Sequence, residues 1–167
     1  MADGPSRTQI YTARLTFAVL LFLIALGVVW PGVSFAHLER LWDDILARPG
    51  GPMTFRFILQ PAMAAIAALR DGVSDARLGR TPYARAIFRG VDGSRSERLW
   101  EGIVATARIL ILGMVMDGIY QWLVLKTFFP EQAVVVALLL AFAPYIALRG
   151  PIERIARHWI ARPGSQT

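Results

Sequence analysis

Four stretches of the chain are apolar for longer than the core face of a soluble helix requires. The first runs from Leu15 to Ala36, 22 residues without a charge. At a rise of 1.5 Å per residue, such a run crosses a hydrocarbon core of about 30 Å. The second, Met53–Leu69, is apolar except for Arg56 and Gln60 and carries Pro61 inside it. The third is Ile109–Leu125, with Asp117 at its centre, and the fourth is Ala133–Leu148, with Pro144 near its end. Between the first two, His37–Arg48 has helical periodicity. Leu38, Leu41, Trp42, Ile45 and Leu46 share one face, and Glu39, Arg40, Asp43 and Asp44 fill the other. That pattern predicts a helix lying in the membrane interface with Trp42 at headgroup depth. Pro49-Gly50-Gly51-Pro52 then breaks the chain. A basic tail, Arg149–Arg162, places Ile152, Ile155, Ala156 and Trp159 at spacings that predict a second interfacial helix. The expected fold is an all-α membrane protein: four transmembrane helices at about 15–36, 53–69, 109–125 and 133–148, with two short interfacial amphipathic helices, in one domain over residues 1–167.

Two points stay open in the pattern alone. Arg7 and Arg14, the apolar run and Ser34-Phe35-Ala36 also resemble a signal peptide with a small-x-small cleavage site. The apolar run exceeds the roughly 7–15 residues of a signal core, which favours a retained span. Met53–Leu69 is barely long enough to cross, so spanning and re-entrant readings compete.

Charge arbitrates the second point. Residues 70–108 hold eight arginines: Arg70, Arg77, Arg80, Arg85, Arg89, Arg95, Arg98 and Arg108. With four spans, this loop shares a side with Arg7, Arg14, Arg149, Arg154, Arg157 and Arg162. That side holds fourteen basic residues, against Arg40, Arg48, Arg56 and Lys126 on the other. Basic residues gather in cytoplasmic loops, so both termini and the 70–108 loop are expected in the cytoplasm. A three-span arrangement with the N-terminus outside also satisfies the charge rule. It would insert the first run against its own flanking arginines and leave the uncharged Phe57–Leu69 to find burial elsewhere.

Composition changes the picture little. Hydrophobic residues make up 55 % of the chain, and its mean hydropathy is +0.46. The net charge of +6 would suggest nucleic acid in a soluble protein, but here it belongs to orientation and to anionic headgroups. Nucleic acid is therefore not an expected partner, whereas membrane lipids are. The headgroup-facing candidates are Arg70, Arg77, Arg80, Arg85, Arg89, Arg154 and Arg157. Seventeen of the 18 basic residues are arginine, a bias expected of a GC-rich bacterial genome and so of a bacterial inner membrane. The absence of cysteine excludes disulfides, thiolate-held metals and thiol catalysis. His37 and His158 are too few for a zinc site, so no cofactor is expected.

Within the membrane, Asp117 stands out, because a carboxylate at the centre of a span costs on the order of 3 kcal/mol. Gln121 follows it at i+4 on the same face, and Arg56 and Gln60 show the same spacing on the second run. The two glutamines lie at similar depth, which makes a cluster of Arg56, Gln60, Asp117 and Gln121 geometrically reachable. It reads either as a helix-packing clamp or as a proton, ion or ligand site.

The segment Arg70-Asp71-Gly72-Val73-Ser74-Asp75-Ala76-Arg77 is similar to the DGxxAR signature of CDP-alcohol phosphatidyltransferases, but the match fails. Three residues separate Asp71-Gly72 from Ala76-Arg77 where the signature has two, and its later glycine and aspartates are missing. Asp71 and Asp75 at i, i+4 remain weak candidates for a divalent cation. The plainer reading is a solvated helix with local ion pairs.

The stretches Phe57–Tyr83, Met116–Gln121 and Ala143–Trp159 resemble a group of small uncharacterised bacterial inner-membrane proteins. That resemblance implies a membrane protein and carries no catalytic residue across. The functional expectation is a non-catalytic accessory, assembly or scaffold component, working as a homo-oligomer or in a larger membrane complex. The alternatives are a small oligomeric transporter or channel subunit built around Asp117, and a lipid-modifying enzyme using Asp71 and Asp75.

Overall fold

The computed structural model describes residues 5–29, 35–47, 50–51, 53–89 and 95–161, and every element among them is helical. Helix α1 is Arg7–Val29, α2 is Phe35–Ala47, α3 is Arg56–Arg77, α4 is Tyr83–Arg89 and α5 is Arg95–Tyr120. A π-helical turn, Gln121–Leu125, extends α5. Helix α6 is Pro130–Ala137, a second π turn is Leu138–Phe142, and α7 is Ala143–Ile160. Three of the resulting helices are long and apolar enough to cross a membrane: Arg7–Val29, Arg95–Leu125 and Pro130–Ile160.

Local chemistry explains the ends. Helix α1 starts well before the apolar run because Ser6 and Gln9 form a capping box. The Gln9 N–H donates to Ser6 Oγ at 3.3 Å, and the Ser6 N–H donates to Gln9 Oε1 at 2.8 Å. It ends at Val29, shortly before Pro31. The expected cleavage motif at Ser34 lies partly outside the described residues. Pro130 opens α6 at a position whose N–H needs no partner. Pro144 is the second residue of α7, just past the second π turn, where the local widening accommodates the hydrogen bond that proline cannot donate. Pro61 sits inside α3 without ending it.

Besides the early starts of α1 at Arg7 and α5 at Arg95, two lengths differ from the sequence pattern. Helix α3 runs on to Arg77, eight residues past Leu69, and the basic tail is no separate helix but the continuation of α7. The cause is shared: Gly72, Asp75 and Ala76 of α3 are buried, as are Tyr145, Arg149 and Glu153 of α7, because the two helices face each other. Tyr145 bonds Asp71 and Arg149 bonds Asp75, so both helices advance by four residues between contacts and run parallel. Gly72 sets their separation, since a Cβ there would stand 2.9 Å from the Arg149 carbonyl oxygen.

The core joins Leu20 of α1, Ala64 and Ala68 of α3, Leu110 and Met114 of α5, Val134 and Ala137 of α6, and Tyr145 of α7. Alanine dominates where helices cross, which allows close backbone approach. Helix α2 lies against α6, with Ile45 packed on Val136 and Asp44 accepting from Gln132 Nε2 at 3.3 Å. Its Trp42 and Leu46 face outward.

Candidate functional site

Most of the buried polar side chains form two layers, whereas Thr16 and Thr106 bond backbone carbonyls and Gln132 bonds Asp44. The first lies where α3 meets α5. Arg56 and Asp117 are 2 % and 0 % exposed, and Arg56 Nη1 donates to Asp117 Oδ1 at 2.8 Å. Arg56 Nη2 donates to the Gly113 carbonyl at 3.2 Å. The second carboxylate oxygen, Oδ2, accepts from Gln121 Nε2 at 2.7 Å. Gln121 then holds the next turn of chain. Its Nε2 also donates to the Phe129 carbonyl at 3.1 Å, and its Oε1 accepts the Phe129 N–H at 2.6 Å. One amide thus ties the α5–α6 connection to the Arg56–Asp117 pair. That connection turns through Lys126, whose φ of 55° is a left-handed conformation rarely taken by a side-chain-bearing residue.

Gln60 lies one turn along α3 from Arg56 and is also buried. Its Nε2 sits 3.2 Å from the point where a Cβ on Gly113 would stand. Neither Nε2 nor Oε1 of Gln60 has a hydrogen-bond partner among the described residues. The structure therefore brings Arg56, Asp117 and Gln121 into one bonded group and sets Gln60 beside it.

The second layer gathers side chains from α3, α4, α5 and α7 around Arg149. Its Nε donates to Asp75 Oδ2 at 2.8 Å, Nη1 donates to the Tyr145 hydroxyl at 2.7 Å, and Nη2 lies 2.7 Å from Asp75 Oδ2. The Tyr145 hydroxyl donates to Asp71 Oδ2 at 2.6 Å. The Arg149 guanidinium also stacks 4.0 Å from the centroid of the Tyr83 ring. Tyr83 donates to the Arg98 carbonyl at 2.6 Å, which docks α4 on α5. Half-buried Glu101 completes the rim, 3.1 Å from Arg98 Nη1, 3.5 Å from Arg149 Nη2 and 3.6 Å from Arg80 Nη1. Burial pushes the Tyr83 hydroxyl up to about 12, against the lowering influence of the Arg149 guanidinium.

Asp71 and Asp75, considered for a cation, are thus engaged by Tyr145 and Arg149, with Arg80 3.6 Å from Asp75 Oδ1. No group of three or more potential metal ligands occurs among the described residues. Among the headgroup candidates, Arg70, Arg77, Arg80, Arg85, Arg154 and Arg157 are exposed. Arg157 also reaches back to Glu153 and to the Arg80 carbonyl. The Arg89 side chain lies outside the described residues.

Sequence reasoning missed the Arg149 layer. A signal was present: Tyr145 and Arg149 at i, i+4 complement Asp71 and Asp75 at i, i+4. It becomes meaningful only once α3 and α7 are parallel and in register. Comparison with protein families, with curated proteins and with solved structures found no match.

Proposed function

We propose that the chain is an integral protein of a bacterial inner membrane in which α1, α3, α5 and the α6–α7 helix all span. On this reading α2 lies on the outer surface, the amphipathic end of α7 lies at the inner surface, and both termini are cytoplasmic. Support for α3 as a span comes from its two faces. Arg56, Gln60 and Asp75 point into the bundle, while Phe55, Ile58, Leu59, Ile66 and Leu69 point out. From Phe55 to Leu69 this outward face rises about 21 Å before Arg70 ends it. Averaging over both faces hides a span of this kind. Helix α3 also packs against the α6–α7 helix from its second π turn, Leu138–Phe142, to Arg149, which meets Asp75. It therefore occupies much of the depth of a helix that is itself long enough to cross. On α5, outward-facing Leu112, Val115, Ile119 and Trp122 follow exposed Arg108, the order expected from cytoplasm to outer interface.

Within that membrane the protein acts as a non-catalytic accessory, assembly or scaffold component, as a homo-oligomer or in a larger complex. The observation that carries this reading is what lies between the two polar layers. From Gln60 to Asp71 the inner side of α3 rises about 16 Å. There Ala64, Ala68, Leu110, Ala137 and Ala141 are each fully buried in apolar contact. The polar groups act as ties at two depths with a close-packed apolar layer between them, which suits a rigid helical unit better than a conduit. The transporter or channel-subunit reading would need a polar path through that layer. The lipid-modifying reading would need Asp71 and Asp75 released from Tyr145 and Arg149. Extraction in mild detergent followed by mass measurement of the intact particle tests the proposal. A defined oligomer or a co-purifying partner is expected, and a clean monomer with proton- or ion-coupled uptake in vesicles would overturn it.

A further inference from the structure

We infer that Gln60 holds a bound water inside the membrane-spanning bundle, next to the Arg56–Asp117 pair. Three observations lead to it. Gln60 is only 1 % exposed, so bulk solvent does not reach its amide. Both ends of that amide, the Nε2 donor and the Oε1 acceptor, lack a partner among the described residues. A buried amide left unbonded is strongly unfavourable, and more so where the surroundings are hydrocarbon. The ligand must therefore offer a donor and an acceptor at once and must be small, because Ala64, Ala137 and Leu110 close the neighbourhood without exposure. Water meets both conditions.

The site has a built wall. Gly113 faces Gln60 on α5, where a Cβ would stand 3.2 Å from Nε2 and 3.1 Å from the Ala137 Cβ. Its carbonyl, already engaged by the helical N–H of Asp117, also accepts from Arg56 Nη2 at 3.2 Å, which fixes this part of α5 against α3. Glycine at this position thus keeps the amide clear of the close contact that any Cβ would make. The inference is independent of the accessory role, since a tie and a transport site would be hydrated in the same way.

The chain has five glutamines, Gln9, Gln60, Gln121, Gln132 and Gln166, so side-chain amides labelled with nitrogen-15 can be told apart in phospholipid bilayers. Magnetisation transfer from water to these amides is the readout, and Gln60→Met identifies the Gln60 signal by its disappearance. A water contact is expected at Gln60 Nε2. Gln121 Nε2 is the internal control: it donates to Asp117 and to Phe129, and should show none. Gly113→Ala should abolish the Gln60 contact while leaving the Gln121 signal in place. A dry Gln60 would overturn the inference. So would equal transfer to Gln60 and Gln121, which would mean general wetting, or a contact that survives Gly113→Ala, which would place the water elsewhere.

Discussion

The Arg56 guanidinium and the Asp117 carboxylate, 61 residues apart in sequence, meet at 2.8 Å with both side chains buried. Removing one partner leaves the other charge without compensation in a low-dielectric interior. Asp117→Asn should therefore destabilise the protein by about 3–5 kcal/mol, the usual cost of breaking a buried pair from one side. The double replacement Arg56→Met with Asp117→Leu removes both charges and should be more stable than the single Asn variant. Thermal unfolding in detergent of the parent, both single variants and the double variant closes the cycle. Strictly additive losses would show that the two residues are uncoupled.

Arg149 makes a larger demand on its side chain than Arg56 does. It bonds Asp75 and Tyr145 and stacks on Tyr83 at the same time, which needs a planar fork. Arg149→Ala should cost about 3–5 kcal/mol by stranding Asp75. Lysine restores the charge but neither the fork nor the stack, so Arg149→Lys should recover only part of that loss. Full recovery by lysine would show that the site needs only a positive charge.

The two polar layers were not equally legible in the sequence. Arg56, Gln60, Asp117 and Gln121 lie inside apolar runs, where any polar residue stands out. Their depth can be counted from the ends of those runs, so the approach of Arg56 to Asp117 could be anticipated. Arg149, Asp71 and Asp75 lie where the apolar pattern gives way to charge, just past the run that holds Tyr145, and there a buried polar residue looks like a solvated one. Their meeting depends on α3 and α7 continuing as helices past their apolar runs, which is a product of the contact itself. Tyr83 was invisible for the same reason: its partners are a backbone carbonyl of Arg98 and the face of a guanidinium.

Gly72 allows the parallel contact between α3 and α7. A methyl group there would stand 2.9 Å from both the Arg149 carbonyl oxygen and Ile152 Cγ2, and backbone on a facing helix cannot yield without moving the helix. Gly72→Ala should destabilise by about 1–3 kcal/mol, as overpacking does. Gly50→Ala is the matched control, since nothing lies within 4 Å of its added Cβ. The comparison needs only the two melting curves. Equal curves would mean that α3 and α7 can separate without penalty.

Tyr83 supplies a dependence on pH. Its hydroxyl ionises at about 12 in the folded protein, above the value near 10 of an unfolded tyrosine, because burial disfavours the phenolate. The folded state therefore holds this proton more tightly than the unfolded state. The resulting stabilisation is complete below pH 10 and is lost as pH rises towards 12, a change on the order of 2 kcal/mol. Tyr83→Phe cannot ionise, so the stability difference between parent and variant should shift in favour of the variant across that window. A difference that stays constant from pH 9 to pH 12 would contradict the burial of this hydroxyl.

Whether α3 crosses the membrane can be decided by two reporter insertions on either side of it. One goes at Gly50-Gly51, between α2 and α3, and the other within Asp92–Arg98, at the N-terminal end of α5. If α3 spans, the two sites lie on opposite sides, with the first periplasmic and the second cytoplasmic. If α3 lies within the bundle without crossing, both report the same side. Fusions at the C-terminus and after Lys126 fix the remaining topology, and these should be cytoplasmic and periplasmic respectively. The Arg56–Asp117 pair gives the result a physical meaning. If α3 spans, its guanidinium can enter hydrocarbon because the charge is met by Asp117 of α5. Removing that counter-charge should weaken insertion of α3 more than that of the other spans. In the Asp117→Asn background, the reporter within Asp92–Arg98 should therefore divide between the two sides, while Arg56→Met with Asp117→Leu restores a single location. An Asn variant with unchanged reporter location would show that α3 inserts without help from the pair.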